Sequence, residues 1–277
     1  MNGRIPARSA LALLVAIGAL VVTAASASAM AIYNNLPKPA PGDLVSQSFE
    51  ATGTSEWGGQ VEFKSAGKPK RVLSSVTLGM SSYACQTGSG LTCASGKMAK
   101  FKLPITLNVY AVNPANQEPV QPALASVTQE FEIPYRPSAS ALCPVTSEGV
   151  GWGAECKIGR LHEITFAVPG AVTVANTAIV AVAFNTESYG AAPTGKPGPE
   201  NSLNVATNAT YSYNETAKEF ELGSGPAPNI GADPLPSDAY INSVNAGEYG
   251  STPDPGQFAL ASGNWAGFQP AFKIKAS

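Results

Sequence analysis

Residues 103–112 read LPITLNVYAV, and this stretch decides the fold. Ile105, Leu107 and Val109 alternate with Thr106, Asn108 and Tyr110, which puts the apolar side chains on one face of an extended chain. A helix would need apolar residues three and four apart. The alternation recurs on both sides of this segment. Val76, Leu78 and Met80 alternate with Ser75, Thr77 and Gly79, and Val127, Phe131 and Ile133 oppose Thr128, Glu130 and Glu132. Ile164, Phe166 and Val168 repeat the pattern, and Phe272 and Ile274 alternate with Lys273 and Lys275. Ala178 to Phe184 (AIVAVAF) is apolar on both faces and belongs in the middle of a sheet. No segment after residue 29 shows a capped 3.6-residue period. The class is all-β.

Composition agrees. The 277 residues include 27 Gly and 23 Pro; 44% are hydrophobic and 13% charged. Long disorder needs the opposite balance, and coiled coils need charged heptads. The net charge of −2 argues against a nucleic-acid partner. Many short alternating strands with turn-rich connections predict an antiparallel β-sandwich, jelly-roll-like, with long Pro/Gly-rich loops. Two such loops are Gly190 to Pro199 and Gly223 to Pro236. We read residues 30–277 as a single β-sandwich domain.

The first 29 residues read as a signal peptide. Arg4 and Arg8 form the basic region, Ala10 to Val22 the apolar region, and Ala27-Ser28-Ala29 the small-residue cleavage site. The apolar run is shorter than the ~20 residues that span a bilayer. No later run is long enough, so no transmembrane segment is expected in the mature chain. The expected location is extracellular, secreted.

Export gives the cysteines a meaning. Cys85, Cys93, Cys143 and Cys156 are even in number, which favours disulfides in an oxidising compartment. Nearest-neighbour pairing is expected, because Cys85 and Cys93 bracket QTGSGLT, and Cys143 and Cys156 bracket PVTSEGVGWGAE. Closing these loops contributes about 2.6 and about 3.0 kcal/mol on the loop-entropy estimate. Neither spacing resembles the short pairs of a zinc site.

Catalytic chemistry finds few parts, and no catalytic residue is assigned. There is no GxSxG, HExxH or P-loop, and His162 is the only histidine, at a strand start beside Glu163. A glycosidase needs only two carboxylates, with Glu50, Glu56, Glu62, Glu130 and Glu132 as candidates. Glu130 and Glu132 share a face but have Thr128 and Ser126 for neighbours, so they read as a solvated strand face. Asp43, Asp233, Asp238 and Asp254 lie in Pro/Gly loops where sandwiches hold calcium. Turn chemistry explains them equally, so no cofactor is expected, with calcium as the alternative.

The aromatics point to glycans. Trp57 (SEWGG), Trp152 (GVGWGAE) and Trp265 (SGNWAGF) are flanked by glycine or small polar residues, and Tyr189, Tyr240 and Tyr249 occupy loop-like stretches. Exposed rings beside polar groups stack on sugars and read their hydroxyls. The candidate ligand contacts are Trp152, Tyr189, Trp57 and Trp265. For Trp57 and Trp265 the favoured reading is a plug at the end of the core; for Trp152 the two readings stand level. Asn208-Ala-Thr and Asn214-Glu-Thr match the glycosylation sequon, but the Ala-rich signal points to a bacterial source and we assign them no role.

The phrases IYNNLPKPAPGDLVSQSFEATGTSEWGGQVEF, SVTLGMSSYACQ, LPITLNVYAV, ASVTQEFEIPYRPSA, AVAFNTESYG and NSLNV resemble a family of secreted bacterial β-sandwich proteins. The family is common in high-GC Gram-positive bacteria, and some members carry variable C-terminal surface anchors. The resemblance runs from about Ile32 to Ile274 and implies export and a sandwich, without catalytic residues. Relatives tend to show Trp where this chain has Tyr83, and often carry further cysteines near the C-terminus.

The leading expectation is a non-catalytic extracellular protein, a glycan-binding or surface/matrix module whose partner is a polysaccharide or cell-envelope glycan. The alternative is a carbohydrate-active enzyme, a hydrolase or lyase, on a jelly-roll scaffold. Export itself is directly testable: N-terminal sequencing of secreted material should begin at Met30, or at Ser28 or Ile32 if a neighbouring small-residue site is used. Full-length protein in the membrane fraction would refute cleavage.

Overall fold

The computed structural model describes residues 29–37, 45–50, 52–64, 70–88, 90–146, 149–154, 156–185, 203–214, 219–223, 225–244, 256–263 and 265–277. The chain begins with β1 (Met30–Asn34), β2 (Ser46–Ser48), β3 (Thr54–Glu62) and β4 (Arg71–Ser82). After a 3-10 turn at Gly90–Thr92 come the long strands β5 (Lys100–Val112) and β6 (Pro119–Pro134). A small ribbon, β7 (Val145–Thr146) and β8 (Gly149–Val150), precedes β9 (Arg160–Ala167), β10 (Thr173–Val174) and β11 (Thr177–Ala183). The rest comprises β12 (Leu203–Ala206), β13 (Thr210–Asn214), β14 (Glu219–Gly223), β15 (Ala239–Ser243), β16 (Ala259–Ala261) and β17 (Phe272–Ala276).

Two antiparallel sheets pack face to face. The second runs β16-β15-β3-β11-β5-β6. The first is organised on β4, whose residues 75–82 pair with β9 along one edge. Along the other edge β17 covers Leu73 to Leu78 and β12 covers Met80 to Ser82, so two short strands run end to end where one would suffice. The next position is divided in the same way, with β1 on β17 and β2 on β12. With each end-to-end pair counted as one strand, and β15–β16 taken as an extension beside β3, the orders are β1/β2–β17/β12–β4–β9 and β3–β11–β5–β6. That is a jelly roll.

The alternation seen in the sequence is the core. Val76, Leu78, Met80, Ile105, Leu107 and Val109 are fully buried, and β11 is covered on both faces. Trp57 and Trp265 lie inside the same core at 0% exposure, their ring centroids 6.1 Å apart. Their candidacy as ligand contacts is corrected here, since neither ring reaches solvent. The glycines beside Trp57 misled the sequence reading. They lie within β3, and a Cβ on Gly58 would stand 2.4 Å from the Val180 carbonyl oxygen and 2.6 Å from Ala181 Cβ. They permit close strand packing, not a loop. Tyr240 is likewise corrected from a loop residue to a buried residue of β15.

Both expected disulfides form, Cys85–Cys93 and Cys143–Cys156, with Cα separations of 5.4 and 5.3 Å. They staple neighbouring segments: Ala139 N donates to Cys93 O at 3.0 Å, and Ser140 N to Gly151 O at 2.9 Å.

Where β12 hands over to β17, the chain leaves the sheet at Thr207 and returns at Ala271. Where β1 ends, it leaves again after Asn34. Backbone groups at this double break still need partners. Asn35 supplies several: its N donates to Phe272 O at 3.0 Å, its Nδ2 to Pro270 O at 3.0 Å, and its Oδ1 accepts from Phe272 N at 2.6 Å. Asn35 is 4% exposed, so water is not at hand to replace it. Asn35→Leu should lower stability by at least ~2 kcal/mol, because each orphaned buried group costs roughly 1–3 kcal/mol. Equilibrium urea unfolding measures this; an unchanged midpoint would show that the break is held by other contacts.

Candidate functional site

The outward face of the second sheet carries the most organised polar chemistry. Register sets its layout. Asn242, Glu56, Ala183, Thr106 and Thr128 form one cross-strand row, and Tyr240, Gly58, Ala181, Asn108 and Ser126 the next. A third row holds Gln60, Ile179 and Tyr110. The Gly58–Ala181 pair lies at the centre, a low saddle between larger side chains.

The third row, and the Tyr240–Ala181 end of the second, are not open. Tyr110, Ile179, Ala181 and Tyr240 form a second, smaller core, covered by Val112, Ala123, Leu235, Phe258 and Leu260. Phe258 stacks on Tyr110 with centroids 5.2 Å apart. The Tyr240 hydroxyl lies 2.8 Å from Gln60 Oε1 and 2.6 Å from Gln117 O. Alternation alone places Tyr110 on a solvated face; Val112, Leu235 and Phe258, with Ala123 of β6 and Leu260 of β16, cover it instead.

Glu56 stands where this cover ends. Its Oε1 accepts from Asn108 Nδ2 and from the Tyr110 hydroxyl, both at 2.8 Å. Burial pushes its carboxyl pKa up, and the two hydrogen bonds oppose that rise only in part. Burial, with the Glu56 charge beside it, raises the Tyr110 hydroxyl well above its usual value. The phenol therefore remains a donor at any ordinary pH. Beyond Glu56 the face opens into a shallow depression of about 520 Å³, lined by Thr54, Ser55, Thr106, Ala183, Phe184 and Asn185, among others. A carboxylate fixed by an amide and a phenol, in the same cross-strand row as Thr106 and Ala183 of the hollow, suits a polyhydroxylated ligand.

The other sequence candidates take different places. Trp152 is half-buried within the Cys143–Cys156 loop, its Nε1 donating to Gly159 O at 3.2 Å. The neighbouring Gly151 is required by packing, since a Cβ there would stand 2.3 Å from Cys156 O. Tyr189 and Tyr249 lie outside the described residues, as do Asp43 and Asp254. Glu130 and Glu132 are exposed and pair across the strand with Lys102 and Lys100, at 2.9 and 3.1 Å. His162 is half-buried on β9, and burial together with Arg160 and Lys100 pushes its pKa down. Asp233 and Asp238 accept from the backbone N of Leu235 and Gly263, at 3.0 and 2.8 Å. Among the described residues, no three His, Cys, Asp or Glu side chains gather to hold a metal ion. No described helix is long and apolar enough to cross a membrane. Asn208, part of a sequon, is 5% exposed, and its Nδ2 is committed to Pro226 O at 3.1 Å.

No family model matches this chain, and neither a curated protein nor a solved structure does so.

The signal that would have found Glu56 in the sequence is thin. It precedes Trp57, and Asn108 and Tyr110 sit two apart on a predicted strand, but nothing in the sequence pairs β3 with β11 and β11 with β5. The raised Glu56 carboxyl has a measurable consequence. A folded pKa above the unfolded value gives stability that is full at low pH and lost as pH rises through the folded pKa. Glu56→Gln keeps an acceptor for Asn108 and Tyr110, so the variant should lose less stability than the parent as pH rises above ~4.5. Thermal melts across pH test this; parallel curves would mean that Glu56 titrates as in the unfolded chain.

Proposed function

We propose that the chain is an exported, non-catalytic β-sandwich module that holds a polysaccharide or cell-envelope glycan on the open end of its second sheet. The observation that carries this reading is the Glu56 carboxylate, held by Asn108 and Tyr110 in the same cross-strand row as Ala183 and Thr106, which line the depression. Sugar hydroxyls donate to carboxylates and accept from amides, and a shallow open site admits a chain rather than a single molecule. Two disulfides support an oxidising, extracellular setting, as does the signal-like N-terminus.

The distance of Glu56 from the acidic pair on β6, and the lysines that engage that pair, favour binding over hydrolysis. Glycoside cleavage uses two carboxyl groups about 5–10 Å apart. From Glu56 on β3, the acidic pair on β6 lies three strand spacings away across β11 and β5, about 14 Å at ~4.8 Å per step. Each member of that pair is also engaged by a lysine.

Polysaccharide pull-down and glycan arrays with the mature protein test the proposal. Glu56→Gln should weaken retention at least about tenfold, since a hydrogen bond to a charged group contributes about 1.5–3 kcal/mol. Asn108→Ala should do likewise without shifting the melting temperature of the core by more than a few degrees. If Trp152→Ala removes retention while these variants keep it, binding resides in the disulfide-held loop. Release of reducing ends or unsaturated products would overturn the non-catalytic reading.

A further inference from the structure

A second cavity, remote in the register from Glu56, opens where the chain leaves the first sheet. It has a volume of about 330 Å³, at the small-molecule end of ligand sites. The walls come from the excursion between β12 and β17: Pro226, Ala227, Pro228, Ala232 and Pro236, with Asp233 among them. Hydrogen bonds fix these walls. Asn208 Nδ2 donates to Pro226 O, Asn208 Oδ1 accepts from Gln269 N at 3.3 Å, and Gln269 Nε2 donates to Asp238 O at 2.6 Å. Ala232 and Glu62 exchange backbone hydrogen bonds at 2.8 and 2.9 Å, tying the loop to β3. Three prolines and this lattice make the shape one that exists before a ligand arrives.

The chemistry of the cavity is asymmetric. Its walls are mainly apolar, yet Asp233 is largely buried among them with Leu235 N as its donor. Burial is the main influence on this carboxyl and raises its pKa to about 6; the Asp238 charge adds to the rise. Among the described residues, the ionisable groups whose charges couple to Asp233 are Tyr33 on β1, Asp238 just before β15 and Tyr240 on β15. None is cationic. Tyr33 stays a neutral phenol, because burial and the Asp233 charge both push its pKa up. An anion would meet the Asp233 carboxylate here, with the Asp238 charge close enough to add to its repulsion. A calcium ion needs six to eight oxygens, and no third acidic ligand is in place among the described residues. A monovalent organic cation needs only one carboxylate and an apolar wall.

We propose that this cavity binds a small molecule bearing a protonated primary amine, the ammonium on the Asp233 carboxylate and the hydrocarbon frame against the proline walls. The site is independent of the glycan face. The ligand's ammonium gives Asp233 a counter-charge, so part of the free energy lost in burying the carboxyl is recovered on binding. Binding must strengthen as pH rises from 5 to 7, because the carboxylate ionises across that range while an alkylamine stays protonated.

Amide chemical-shift titration of the mature protein with cyclohexylamine, and with cyclohexanol as its neutral analogue, tests this. Cyclohexylamine should perturb amides in 225–236 and bind at least tenfold more tightly than cyclohexanol at pH 7. Its affinity should fall about tenfold at pH 5, as a carboxyl titrating near pH 6 predicts. Asp233→Asn, which keeps the acceptor for Leu235 N, should abolish the preference for the amine. Ala227→Trp, at an exposed wall position, should block binding and serves if the first variant does not fold. Glu56→Gln should change none of this, which separates the two sites. Equal binding of the alcohol, an unchanged affinity in both cavity variants, or no perturbation by the amine would overturn the proposal.

Discussion

The pairing of β4 on both edges is the constraint from which the rest of the structure follows. β4 is a central strand, and every backbone donor and acceptor along it must be met inside the protein. β9 and β10 satisfy one edge. The other edge is met by two short strands, β12 and β17, from widely separated parts of the chain. Dividing this position obliges the next to divide as well, since β2 follows β12 and β1 follows β17. The sheet therefore carries a gap in covalent continuity without a gap in hydrogen bonding. Asn35, with its side-chain amide acting as extra backbone, holds the gap closed.

The excursion released at that gap builds the periphery. Part of it, β15 and β16, extends the second sheet beside β3. Phe258 and Leu260 then fold over the outward face and, with Leu235 and Ala123, form the second core on Tyr110 and Tyr240. This cover ends short of Glu56, which is why that carboxylate is half-sheltered and hydrogen-bonded without being enclosed. Another part, residues 225–236, forms the proline-walled cavity around Asp233. Both perturbed carboxylates are thus by-products of one topological choice. In each case desolvation is the largest cause of the raised pKa.

Much of the sandwich was legible in single segments. The period of two in β4, β5, β6, β9 and β17, and the two-sided apolar run of β11, specified strands and their buried faces. Turn-like glycines between near cysteines specified the two disulfides. Residues 54–62 were less legible, because SEWGG looks like a loop until Gly58 is seen pressed against Val180 and Ala181. The same glycines kept Trp57 a candidate ligand contact beside the favoured core plug, and SGNWAGF did so for Trp265, because flanking residues describe the turn around an indole and not where it points. The strands after residue 200 are mostly three to five residues long, too short for alternation to distinguish them from loop.

The sequence by itself determined the class, the identity of the main core residues and the covalent staples, because periodicity and cysteine spacing are local properties of the chain. Only the tertiary structure decided which strands became neighbours, and hence which polar groups met. Glu56 lies on β3, and Asn108 and Tyr110 on β5; the strands have β11 between them in the sheet, and the side chains meet across it. Asp233 became a sheltered carboxylate only because Pro226, Asn208 and Gln269 closed around it from three separate segments. Contacts of that kind depend on register and on loop closure over long sequence distances. No local pattern encodes them.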